Sequence, residues 1–244
     1  MINQNPSSII SIAMPEEAAR HILSSFEAAL DNLRKDVLMM SSLVSRSIEN
    51  SRKGLLDRDE DFCNTVIADD EEIDLLEIQV DTQGIEIMLR FHPFASDLRN
   101  VIGAMKTSVN LERAADQAVG IARRARKLAA LQVLSETAHI EPLFRHTSSM
   151  FNDAVKAYAD GDIELAKTIK NRDKELDQLN REFAESLTEK MPQNPDSIRG
   201  FLELIFIARC LERIGDQAKN IAEDTIFAVS LKDIRHTAAG ESRI

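Results

Sequence analysis

Leu111-Glu112-Arg113-Ala114-Ala115-Asp116-Gln117-Ala118-Val119-Gly120-Ile121-Ala122 recurs one hundred residues later as Leu211-Glu212-Arg213-Ile214-Gly215-Asp216-Gln217-Ala218-Lys219-Asn220-Ile221-Ala222. Eight of the twelve positions are identical, and Arg99 falls on Arg199 at the same offset. Convergence on an amphipathic helix would keep residue class, not the string Glu-Arg-x-x-Asp-Gln-Ala. The chain is therefore an internal duplication.

Outward from these stretches the rest of the repeat follows. Val66, Ile73, Val80 and Ile87 recur every seven residues, and Ile169, Leu176 and Phe183 repeat the first three at an offset of 103. Such seams predict long helices packed with left-handed heptad geometry. Breakers divide each half into three: Gly54 with the acidic run Asp57 to Asp61, and His92-Pro93-Phe94-Ala95-Ser96, then Asp160-Gly161 and Pro192 to Asp196. The predicted helices span about His21–Leu56, Asp59–Phe91, Ser96–Leu131, His139–Ala159, Asp162–Lys190 and Ser197–Val229, with Ser96 as an N-cap. The change of offset from 103 to 100 predicts a loop three residues shorter in the second half. The expected architecture is all-α: an N-terminal arm over 1–18, two tandem antiparallel three-helix bundles at 19–132 and 138–232, and a polar tail over 233–244.

Composition bounds the function. The 244 residues are 43% apolar and 29% charged, with 6 Pro, 8 Gly and no Trp, which favours helix over sheet. A formal net charge of −11 argues against nucleic acid and against unaided binding to anionic lipid. No apolar run is long enough to span a membrane, and the stretch Ser8 to Met14 lacks the basic flank of a signal segment. Cys63 and Cys210 stand in no metal spacing and are expected to be buried thiols of a reducing cytoplasm.

The carboxylates carry the functional signal. At about 100° per residue, Leu98, Val101, Met105 and Val109 fall on one stripe of the third helix, and Glu112 and Asp116 continue it. In the sixth helix Ile198, Phe201 and Ile205 lead into Glu212, Asp216 and Glu223 on the same arc. A carboxylate on a buried arc needs a counter-charge. Arg113 and Arg213 point roughly 100° away from the glutamates beside them, so a hard cation taking oxygen ligands is the expected solution. Asp70, Asp74, Glu77 and Asp81 form a further acidic stripe in the second helix, of which the fifth retains Asp173 and Asp177 but has Asn180 and Ala184. If neighbouring helices are antiparallel, these stripes face one groove. The competing readings are a solvated or Arg-paired helix face in a metal-free scaffold, and a di-metal carboxylate enzyme, which would need Glu-x-x-His pairs that this sequence lacks.

Other candidates are weaker. His146 is expected to be an exposed polar side chain, and the run Arg123 to Lys127 to complement a helix C-terminus. The sequence has no phosphate-cradling Gly-rich loop, no nucleophile elbow and no His-Glu-x-x-His, so catalysis is unsupported.

Taken together, the paired Glu112-Arg113 to Asp116 and Glu212-Arg213 to Asp216 motifs, Pro93-Phe94-Ala95-Ser96-Asp97-Leu98-Arg99 ahead of the first, and the acids from Asp70 to Asp81 closely resemble the PhoU family of phosphate-specific transport system regulatory (accessory) proteins. The likeness spans about residues 20–236. It implies two three-helix bundles that hold metal ions, Mg, Mn, Ca or Fe, at the E-x-x-x-D motifs. Glu112, Asp116, Glu212 and Asp216 are then the metal residues, with Asp74 and Asp177 secondary. It also implies a cytoplasmic, non-enzymatic homodimer that represses the phosphate-starvation response. Such a protein would work peripherally at the inner membrane through the phosphate ABC transporter's ATPase (PstB-like) and a sensor histidine kinase (PhoR-like). This chain departs from the pattern where Gly120 stands for Asn220 and Arg123 for Glu223, which leaves the first site expected to be the poorer one.

Overall fold

The computed structural model describes residues 16–230. The predicted tail at 233–244 and most of the predicted arm lie outside them. The described residues form six long helices and no strand: α1 (Glu16–Leu56), α2 (Glu60–Phe91), α3 (Ser96–Ala129), α4 (Glu141–Asp160), α5 (Ile163–Lys190) and α6 (Ile198–Ser230). α1 starts five residues before the predicted His21, so residues 16–18 belong to it and not to an arm. A short 3-10 turn, Ser135–Ile140, leads into α4 and absorbs its predicted first residues. The second half does not have the shorter loop: residues 191–197 separate α5 from α6, against 92–95 between α2 and α3, because α5 stops at Lys190 and α6 starts only at Ile198.

Local chemistry sets the other boundaries. Asp59 caps α2 by accepting from the Asp61 amide at 2.9 Å, and Asp162 caps α5 by accepting from the Leu165 amide at 3.0 Å. Gly161 ends α4 with φ 65°, the left-handed geometry that glycine adopts without strain. Ser96 is not the N-cap of α3. Ala95 is, with φ 49° and no side-chain cap, because the turn through His92 (φ 47°) completes one residue earlier and Ser96 is already helical. Arg58, at φ 54°, reaches from the α1–α2 turn to the C-terminus of α3, donating to the carbonyls of Ala129 (2.5 Å) and Leu131 (2.8 Å).

The heptad seams are core. Val66, Ile73, Val80 and Ile87 are almost fully buried, as are Ile169, Leu176 and Phe183. Each seam closes its own three-helix unit, α1–α3 or α4–α6, and the two units join along α3 and α6. That joint has one antiparallel register throughout. Gly103 approaches Ala228, Lys106 pairs with Asp224, Asn220 lies 3.5 Å from Asn110, Gly120 approaches Cys210, and Arg124 covers the Phe206 ring at 4.5 Å. Exchange of the units maps the Gly120–Cys210 contact onto Asn220–Asn110, so the duplication is also an approximate two-fold in space.

Several sequence expectations change here. Arg124 and Lys127 meet Glu203 of α6 at 2.8 and 3.4 Å, so the basic run joins the units as well as ending α3. His146 is half-buried, not exposed, and its Nε2 lies 2.8 Å from the Arg172 carbonyl, tying α4 to α5. Cys63 is buried and burial pushes its thiol up to about 11; Cys210 is only partly buried.

Candidate metal centres

Antiparallel packing brings the acidic stripe of α2 against Glu112 and Asp116 of α3. The stripe forms the rim of the α2–α3 groove and not its floor. Val101 is buried, but Met105 and Val109 are partly exposed, Glu112 is half-buried and Asp116 is exposed. The floor is the neighbouring arc of Ala104, Leu111, Ala115 and Ala122. The expectation of carboxylates sealed into an apolar face therefore holds for Glu112 in part and fails for Asp116.

The electrostatics of this groove are one-sided. Burial, then Asp116, Glu77 and Asp74, push Glu112 up to about 7 against the smaller pull of Arg113. Burial with Asp81 and Asp74 raises Glu77, and burial with Asp74 and Asp116 raises Asp70 against Arg123. Six carboxylates thus sense one another across two helices. Among the described residues none of the six makes an ion pair within 4 Å or a side-chain hydrogen bond.

The second unit treats the same positions differently. Lys219 donates to Asp173 at 2.6 Å and to Asp216 at 3.4 Å. Asn180 donates to Glu212. Burial raises Glu212, but the largest charge acting on it is Arg209, which opposes the rise ahead of Asp177 and Asp216. Lys219 and Arg209 stand where the first unit has Val119 and Val109. Asp177, Asn180, Arg181, Arg209 and Glu212 line an open cavity of about 640 Å³. Asp216 has a side chain 48% exposed.

Asn220 and Glu223, expected to enrich the second site, line a cavity of about 290 Å³ between α3 and α6, with Lys106 and Arg113. The first groove holds more acid and less built-in positive charge than the second. Oxygen-only donors with no cation paired to them within 4 Å among the described residues fit a hard divalent ion in the first groove. As the side chains stand, no three His, Cys, Asp or Glu groups among the described residues converge closely enough to hold an ion. Asp74 and Asp116 are exposed there, and closure around an ion would fall to them.

Two features escaped the sequence reading. Lys219 lies inside the motif window, and its exchange for Val119 was visible on aligning the halves. Asp224, 7% exposed, accepts from Lys106 at 3.1 Å and from Asn110 at 3.4 Å across the unit joint. Its only sequence signal was a polar residue three positions after Ile221, on the buried side of α6.

A family model described as the PhoU domain matches the chain twice, at residues 37–125 and 140–225, one copy on each three-helix unit. This chain belongs to the PhoU family. Among its relatives, the phosphate-specific transport system accessory protein PhoU homolog of Pseudomonas putida is 35% identical over 225 residues, covering 91% of this chain and 87% of that protein. The phosphate-specific transport system accessory protein PhoU of Escherichia coli K12 is 32% identical over 222 residues, covering 91% and 92%. The crystal structure of PhoU from Pseudomonas aeruginosa superposes with a TM-score of 0.82 at 32% identity, covering 85% of this chain and all of that one. The six-helix duplicated PhoU architecture is thus shared along nearly the whole chain.

Proposed function

We propose that this PhoU-family chain is a negative regulator of the phosphate-starvation response and a modulator of phosphate uptake, and not an enzyme. It acts through protein contacts with the ATPase of a phosphate ABC transporter and with a sensor histidine kinase, from the cytoplasmic face of the inner membrane and as a homodimer. The observation that carries this reading is the match of both units to the PhoU domain, together with relatives named as accessory proteins of phosphate-specific transport. No helix among the described residues is long and apolar enough to cross a membrane, in keeping with work through partners.

Metal ions belong to the same reading. Glu112 and Asp116 with Asp74 would hold a divalent cation in the first groove, and Glu212 and Asp216 with Asp177 a second one more weakly. A bound ion supplies positive charge where six carboxylates crowd together. The chain's own residues do the rest: α2 and α3 present the acids, and Arg113 and Arg123 temper them. In the second groove Lys219 supports the metal-free scaffold alternative, since its one ammonium already pairs with both Asp173 and Asp216.

Deleting the gene in phosphate-replete cells is expected to derepress phosphate-scavenging genes. Unchanged expression would contradict the regulatory role.

A further inference from the structure

The outward side of α2 carries an apolar stripe that its counterpart α5 lacks. Leu75, Ile78, Ile85 and Leu89 are 60%, 61%, 49% and 71% exposed. With exposed Thr82 between them they alternate spacings of three and four, the a/d pattern of a coiled-coil seam. The core seam of Ile73, Val80 and Ile87 lies on the opposite side of the helix, so the stripe is not its own packing face.

The duplication provides an internal control. At the offset of 103, α5 has Gln178, Arg181, Glu185 and Thr188 in place of Leu75, Ile78, Thr82 and Ile85, all exposed. The same three-helix unit therefore forms with polar residues there. A contiguous exposed aliphatic row that the fold does not need marks an interaction surface.

Charge selects the occupant. Asp74 and Asp81 border the stripe on one side, Glu72 and Glu86 on the other, and α2 has ten acids against the single base Arg90. A second copy docking through this stripe would set carboxylate against carboxylate along both borders, and an anionic lipid surface would be repelled likewise. Residues 1–15 include Ile9, Ile10 and Ile12 but no Lys or Arg, so they offer the apolar half of the match without the charged half. We infer that the exposed face of α2 docks an amphipathic helix of another protein, one with aliphatic a and d positions flanked by Lys and Arg. The inference rests on the adaptor reading and gives it a surface.

The test uses the full chain and a synthetic amphipathic peptide of about three heptads, with Leu and Ile at a and d and Lys and Arg at e and g, followed by fluorescence anisotropy. Binding is expected, with a loss of about tenfold or more in Ile78→Glu/Ile85→Glu. Glu72→Lys/Glu86→Lys, which leaves the seam intact, weakens it likewise, and Thr188→Glu on α5 leaves it unchanged. Equal binding by a peptide with Glu at e and g, or with Ser at a and d, overturns the proposal. So does conversion of a dimer to a monomer by Ile78→Glu/Ile85→Glu in sedimentation, which would assign the face to a second copy. Tighter peptide binding after removal of residues 1–15 would assign it to that segment instead, and vesicle binding lost in the same variant would assign it to lipid. Absence of peptide binding in a chain whose gene deletion still derepresses phosphate-scavenging genes overturns this surface while leaving the regulatory reading intact.

Discussion

The Lys219 ammonium lies 2.6 Å from the Asp173 carboxylate, while the equivalent places in the first unit hold Val119 and Asp70. This exchange, with that of Val109 for Arg209, sets how each groove balances its acids. The second unit carries a covalently attached cation, and the first has aliphatic carbon in that position. Burial works against the charge on Lys219, yet its bonds to Asp173 and Asp216 hold its pKa above the usual lysine value.

Lys219→Met leaves Asp173, 8% exposed, without its partner. The variant is expected to lose about 2–3 kcal/mol in urea unfolding, less than for a fully buried broken pair because Lys219 itself is partly exposed. Added Mn²⁺ should restore more stability to this variant than to the parent chain, since the ion replaces the missing charge.

Glu112 gives the metal-stripped chain a pH dependence. Its carboxyl ionises near 4.5 when unfolded and at about 7 when folded. Between those values the folded state binds more protons, so its stability falls as pH rises from about 5 to about 8. Glu112→Gln should flatten that decline in a series of thermal melts. Mn²⁺ should flatten it too, by favouring the ionised form.

Asp224 tests the joint between units. Asp224→Ala removes the acceptor of both Lys106 and Asn110 and is expected to cost roughly 3 kcal/mol. Asp224→Leu with Lys106→Met, which removes both charges and keeps the volume, should recover much of that loss. Hydrogen exchange should show the extra opening of Asp224→Ala concentrated along α3 and α6.

Gly54 tests the turn that sets α2 against α1. A Cβ there would clash with Cys63 Sγ and lie 3.3 Å from the Asp59 carbonyl, with backbone on one side that cannot give way. Overpacking of about 1–3 kcal/mol exceeds the helix-propensity gain of up to about 1 kcal/mol, so Gly54→Ala should be destabilising overall. Cys63→Ala in the same chain should be less than additive with it, by about 1 kcal/mol in a double-mutant cycle.

What the sequence made legible was whatever a single helix or the copying of one helix encodes. The identical Glu-Arg-x-x-Asp strings exposed the duplication, and the heptads of α2 and α5 identified the buried faces. Pro93 and Gly161 marked two of the breaks. Contacts that depend on side-chain reach between helices were not legible. Periodicity put Glu112 and Asp116 on an apolar arc but could not tell the floor of a groove from its rim, where Asp116 sits. It also grouped Asn220 and Glu223 with the second site, whereas the packing of α6 on α3 brings them to the unit joint. Ser96 looked like a cap because Ser caps helices, and only the backbone at Ala95 showed the turn ending a residue earlier.

The unequal grooves are tested most directly by titrating the metal-stripped chain with Mn²⁺ in a calorimeter. The tight phase should vanish in Asp74→Asn/Glu112→Gln and survive in Asp177→Asn/Glu212→Gln. A parent chain that binds nothing, or a tight phase lost only from the second pair, would contradict the account.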